Sequence, residues 1–271
     1  MSKKEILLFL GCFLVYGQAF GQDIIYRCGN DFTNDIKGRE KECRLVYDPN
    51  AEKSSKNNLP PARKKLSSTG SGFAVASKGF VTNHHVISAC EKIEIDIGGD
   101  SFSAQVKAHS QAEDVAFLEL DRAHKIETRV SNRINPGQEI YAVGFPLRGL
   151  LADLIITKGV INSLSGLGGD INKFQISAQL QQGNSGGPIL NEYGEVVGVA
   201  VSKLDVIRYA RIAGDIPQNV NFAIKASVLN ELDRLPVSSA NPDWLRFKKS
   251  GEEIAKIGKS IAGLVKCYDS K

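Results

Sequence analysis

GSGFAVASKGFVTNHHVI, residues 70–87, carries two short β-type runs, GFAVAS and GFVTN, separated by one residue and ended by a histidine pair. From Gly72 onward the chain continues in this manner, with runs broken by Gly, Asn and Asp: KIEIDI, FSAQVKAH, VAFLEL, EIYAVGF, LIITKGVINSL, FQISAQL, GPIL, EVVGVAVS and NVNFAI. Most connections are too short for crossover helices, so the pattern predicts an all-β, antiparallel sandwich or barrel rather than βαβ units. So many strands over residues 70–225 overfill one small barrel, and the longest polar connection, DRAHKIETRVSNRINPGQ at 121–138, falls near the middle. Two successive barrels, at about 70–130 and 131–236, are the natural division.

Outside that region the character changes. KASVLNELDRL has helical spacing at Val228, Leu229 and Leu232, with Pro236 as a stop. The tail, 237–271, begins an amphipathic helix at Ser250 through Ile254 and Ile257, while SIAGLVKCY reads equally as helix or strand. Ahead of the barrels, 22–69 is a cysteine-bounded polar segment followed by a Pro-, Ser-, Asn- and Lys-rich linker or exposed wrap.

The first 21 residues have the form of a secretory signal: Lys3 and Lys4, an apolar run from Ile6 to Tyr16, then Ala19 and Gly21 before a cut at Gln22. That run is too short to anchor the processed chain in a bilayer. A rival lipoprotein cut at Cys12 leaves too short an apolar core. The expectation is a periplasmic or secreted protein, with disulfides among Cys28, Cys43, Cys90 and Cys267. Four cysteines allow three pairings. Cys28 and Cys43 flank a polar loop whose closure is worth about 3 kcal/mol, and Cys90 with Cys267 follows by elimination only. The net charge of +4, without a basic stripe, argues against a nucleic-acid partner, and none is expected. With four histidines and oxidised cysteines, neither a metal nor another cofactor is expected.

Ser185 lies in QLQQGNSGGP, residues 179–188. A serine hydroxyl becomes a nucleophile when a neutral imidazole takes its proton and a third group fixes the imidazole tautomer. His109 and His124 sit in polar segments and read as surface residues. His84 and His85 end a strand and precede the apolar Val86.

TNHHV at 82–86, with the catalytic His directly before the apolar Val, resembles the first half of trypsin-like serine proteases of the chymotrypsin clan, in the bacterial HtrA/DegP-like branch. The resemblance implies His85 as base, and two six-stranded antiparallel barrels with a C-terminal helix and short tail. It extends to QAEDVAFLEL at 111–120, where Asp114 matches the family's carboxylate, and to GNSGG, where Ser185 matches the nucleophile. Gly183 and Ser185 then supply the oxyanion-hole N–H groups, with the glycines permitting close backbone approach. The order His85, Asp114, Ser185, at intervals of 29 and 71 residues, makes the match far more specific than GNSGGP alone.

Position 184 is Asn, whereas in digestive and clotting members it is Asp, paired with an N-terminal amine made by zymogen cleavage. The resemblance thus implies activity without such cleavage. Gln182 departs from the branch's common Pro, and the 35 residues after Pro236 are too few for the PDZ domain that HtrA proteins carry. The resemblance implies Gln179 at the floor of the primary specificity pocket, and Val199, Ala200 and Val201, with Gly198 and Ser202, as its wall. A small-to-medium aliphatic or uncharged residue before the cut is expected. The function expected is an exported serine endopeptidase acting on polypeptides. The alternatives are a non-catalytic pseudoprotease or chaperone-like binder on the same fold, and a surface adhesin built on the 28–43 module; oligomeric state and natural substrate stay open.

Overall fold

The computed structural model describes residues 25–28, 31–33, 43–47, 65–125, 128–146, 153–201, 220–232, 238–239, 242 and 246–269. The expected signal peptide, the linker from 48 to 64, Ser202 and Pro236 lie outside them. Contacts divide the chain into 1–63 and 64–271.

In the first unit, β1 (Ile25–Cys28) runs between β2 (Asp31–Thr33) and β3 (Cys43–Tyr47), antiparallel to both. The register sets the backbone of Cys28 opposite that of Cys43.

The second unit starts with β4 (Lys65–Ala74), β5 (Gly79–Thr82) and the one-turn helix α1 (His84–Ile87). Next come β6 (Lys92–Ile97), β7 (Asp100–Ser110) and β8 (Val115–Leu120). Alternation drives these strands: in KIEIDI the isoleucines 93, 95 and 97 point inward, onto Phe80, Phe102 and Leu118. Gly98 and Gly99 both have positive φ, +61° and +99°, as a two-residue hairpin turn between β6 and β7 requires.

Five strands do not close this barrel. The sixth is β17 (Ala262–Asp269), which pairs antiparallel with β4 on one side and β6 on the other. The sequence reading placed 237–271 outside both barrels as a tail. Here its final stretch is an integral strand of the first barrel, with Ala262, Val265 and Cys267 buried. The SIAGLVKCY stretch resolves into strand because Ala262 leaves helical geometry at ψ 140° and the chain then meets two open edges. β4 likewise starts at Lys65, five residues before the expected boundary.

The second barrel is a ring of β10 (Glu139–Gly144), β11 (Ile155–Ser163), β12 (Lys173–Ile176), β15 (Asn221–Lys225), β14 (Val196–Val201) and β13 (Pro188–Asn191), closed by β13 on β10. The short strands β9 (Arg129–Val130) and β16 (Ser238–Ser239) extend its sheet in parallel. The stretch 226–231 is a 3-10 helix, and Val228, Leu229 and Leu232 are buried as their spacing predicts. α2 (Gly251–Ile261) begins in a capping box of Ser250 and Glu253 and packs on the second barrel, where Gly258 lies against Val143. α2 and β17 together form one C-terminal strap across both barrels.

Candidate active site

His85 sits in α1, directly after β5. Asn83 precedes that helix in extended geometry (φ −78°, ψ 147°), but its side chain does not cap it. The Asn83 Nδ2 donates instead to the Asp114 carbonyl at 2.7 Å, which also accepts from the His84 N–H at 3.3 Å. Asp114 is the single non-glycine residue with positive φ, 55°, among the described residues. Aspartate tolerates that region better than most side chains, and here the two donors hold it at the tight turn into β8.

This turn aims the carboxylate at His85. Oδ1 accepts the His85 backbone N–H at 2.9 Å, and Oδ2 lies 2.7 Å from His85 Nδ1. A carboxylate facing Nδ1 keeps a proton on that nitrogen and leaves Nε2 as the acceptor. Asp114 is 8% exposed, so little water competes for it.

Ser185 lies between Gly183 (φ +103°) and Gly186 (φ +87°), both in backbone geometry suited to glycine. A Cβ on Gly186 would sit 2.2 Å from the Ser71 carbonyl and 2.9 Å from the Asn83 nitrogen. The loop is thereby seated against the strand end that leads to His85. The Ser71 N–H donates to the Ser185 carbonyl at 2.8 Å, and the Thr82 hydroxyl donates to the Ser71 carbonyl at 2.7 Å. Ser71, Thr82 and Asn83 stood within the quoted stretches GSGF and TNHHV, but the sequence reading gave none of them a role.

The other expected site residues are distributed unevenly. Gln179 is exposed, and its carbonyl accepts from the Thr157 hydroxyl at 2.9 Å. Val199 and Ala200 are 0% exposed, enclosed in the barrel cores, so their side chains offer no surface to a substrate; Val201 retains 7%. Strand alternation alone did not reveal that both faces of β14 are covered, all six of its residues being buried. Gln182 is exposed, while Asn184 is buried with Oδ1 unpartnered. Cys90, just past α1, is joined by a disulfide to Cys267 of β17. His109 is exposed and stacks on His84 at 4.8 Å between ring centroids; His124 is half-buried and directs Nε2 to the Ser260 carbonyl at 3.3 Å.

Comparison with known proteins agrees with this architecture. Residues 70–199 match the family model described as trypsin-like peptidase domain. "Uncharacterized protein y4bJ" of Sinorhizobium fredii is 35% identical over 237 residues, 84% of this chain and 37% of that protein. "Serine protease Do-like HtrA" of Lactococcus lactis subsp. lactis is 27% identical over 228 residues, 75% of this chain and 56% of the relative. The chain thus spans between about a third and somewhat over half of the length of these relatives. The crystal structure of the serine endoprotease from Yersinia pestis superposes with a TM-score of 0.51 at 26% identity, covering 65% of this chain and 58% of that one. In sequence and in its double barrel, the chain carries a trypsin-like peptidase domain and is similar to serine proteases of HtrA-like type.

Proposed function

We propose that the protein is an exported serine endopeptidase that cleaves polypeptides through Ser185, His85 and Asp114. The observation that carries this reading is the two-point hold of Asp114 on His85, at 2.9 and 2.7 Å. Ser185 Oγ attacks the scissile carbonyl and passes its proton to His85 Nε2, and Asp114 stabilises the imidazolium. The N–H groups of Gly183 and Ser185 receive the oxyanion. Collapse of the tetrahedral intermediate expels the amine with the proton from His85, leaving an acyl-enzyme on Ser185. Water, deprotonated by His85, releases the acid. No cofactor or metal enters these steps. Export rests on the Lys3–Gly21 leader and accords with the Cys90–Cys267 disulfide, a bond suited to an oxidising compartment.

The test is reaction of the full chain with a fluorophosphonate probe, together with cleavage of unfolded casein. Wild type is expected to label once per chain at Ser185 and to cut casein, and Ser185→Ala to do neither while keeping its fold. A wild type that neither labels nor cuts overturns the reading in favour of a non-catalytic binder.

A further inference from the structure

We infer that Ser71 is a positioning residue for the oxyanion loop, its hydroxyl bridging the Phe145 amide and the Gly183 carbonyl. This inference rests on the catalytic reading above. Ser71 lies on β4, in the first barrel, and is 0% exposed. All its polar groups are engaged. Besides the main-chain contacts with Ser185 and Thr82, its hydroxyl donates to the Gly183 carbonyl at 2.6 Å and accepts the Phe145 N–H at 2.8 Å. The directions are fixed by chemistry, since a carbonyl only accepts and an amide N–H only donates.

These bonds bracket the nucleophile. The Gly183 carbonyl belongs to the 183–184 peptide and the Ser185 carbonyl to the 185–186 peptide; between them lies the 184–185 peptide, which bears the Ser185 N–H. Ser71 thus holds both flanks from a single residue, and the Asn184 N–H is held separately by the Gln181 carbonyl at 3.0 Å. Such restraint has a purpose here. Gly183, at φ +103°, has far more backbone freedom than a residue with a Cβ. An oxyanion hole works only when its donors are fixed before charge develops.

The surroundings leave the hydroxyl little scope to be replaced. A Cβ on Gly144 would lie 2.8 Å from Ser71 Oγ, and one on Gly187 would lie 3.3 Å from Ser71 Cβ. Without the hydroxyl, the Gly183 carbonyl loses its partner in a buried setting and the N–H of the half-buried Phe145 loses one too, which is costly. Rotation about glycine relieves that cost most readily, and it turns the oxyanion donors away.

The experiment compares full-length wild type, Ser71→Ala, Ser71→Thr and Ser185→Ala on p-nitrophenyl acetate and on its thiono analogue, in which sulfur replaces the carbonyl oxygen. Ser71→Ala keeps the main-chain bonds of residue 71 and is expected to lower kcat on the oxygen ester about 10²-fold with KM unchanged. Sulfur makes poor use of N–H donors, so the thionoester rate should fall much less and the oxygen-to-sulfur rate ratio should collapse. Ser71→Thr, which restores a hydroxyl, should recover most of that ratio. Equal losses on both esters would mean general damage to the nucleophile and would overturn the inference, as would wild-type rates. If wild type is no faster than Ser185→Ala on either ester, the catalytic reading itself falls and takes this inference with it.

Discussion

Asp114 holds His85 at two atoms, its Oδ1 on the backbone N–H and its Oδ2 facing ring Nδ1. The first contact fixes the helix turn and the second fixes the ring. Asp114→Asn separates them. An amide oxygen still accepts the His85 backbone N–H, but the NH2 group donates to Nδ1 and drives the ring proton onto Nε2, where it blocks the base. We expect an intact fold by near-UV circular dichroism and a kcat lower by about 10⁴-fold on an activated ester. An unchanged kcat would remove Asp114 from the mechanism.

The Cys90–Cys267 disulfide ties the closing strand of the first barrel to the segment after α1, across 177 residues of sequence. Constraining so long a loop in the unfolded chain stabilises the fold by about 2–5 kcal/mol. The double variant Cys90→Ala/Cys267→Ala should therefore unfold at lower urea concentration than oxidised wild type. Dithiothreitol should shift the wild-type midpoint towards the variant's while leaving the variant unmoved. Equal midpoints would show that β17 stays in place through its two ladders alone.

Double-barrel architecture was legible because barrel strands alternate and turn glycines recur, and both are local signals. The origin of the sixth strand was not. AGLVKCYD carries no strong alternation, and its pairing partners lie far back in the sequence, on β4 and β6. At the site, His85 and Asp114 stand in motifs and could be picked out by eye. Ser71 and Asn83 stand within GSGF and TNHHV, but they act through main-chain partners on Gly183, Phe145 and Asp114 that only the folded chain brings near, so their roles could not be read there.

Arg246 forms a two-nitrogen contact with Glu195, at 3.2 and 2.8 Å, and stacks its guanidinium on Tyr193. The two side chains are 11% and 4% exposed. Among the described residues, Arg246→Ala leaves the buried carboxylate with the Asn191 amide as its remaining side-chain donor. Breaking a buried pair on one side typically costs about 3–5 kcal/mol. Replacing both members, with Glu195→Gln and Arg246→Met, should recover more than half of that loss, because no unpaired charge remains. Urea titration of the full double-mutant cycle measures it; additive losses would show that the pair is not coupled.

The capping box of α2 carries a pH dependence. The Ser250 backbone N–H, and then its hydroxyl, hold the Glu253 carboxyl below its ordinary value near 4.5. A depressed folded value means that the contribution is present above the ordinary value and is lost as pH falls below it. Hydrogen-exchange protection of the α2 amides should decline between pH 5 and pH 3 in wild type, relative to Glu253→Gln, which cannot titrate. Parallel profiles for the two proteins would remove the carboxylate from the cap.

Asn184 is 5% exposed, and its Oδ1 has no hydrogen-bond partner. A Cβ on Gly144 would sit 2.8 Å from that oxygen, so the space is tightly bounded. Asn184→Asp places a carboxylate there. A buried charge without a cation is destabilising, and burial pushes such a carboxyl up. A value raised in the folded state means that the fold binds the proton more tightly than the unfolded chain does. The stability gap between Asn184→Asp and wild type should therefore narrow as pH falls from 8 to 5. The opposite result, a variant as stable as wild type at pH 8 that loses this stability when the N-terminal amine is acetylated, would place a buried ammonium beside residue 184. That outcome would also mean activation by N-terminal cleavage. Against it, we expect wild type that begins near Gln22, its N-terminus verified by mass spectrometry, to react with the fluorophosphonate probe at the same rate before and after acetylation. Labelling that appears only after a further cut between Pro49 and Gly72 would make the linker a propeptide, and would leave the proposed roles of His85, Asp114 and Ser185 untouched.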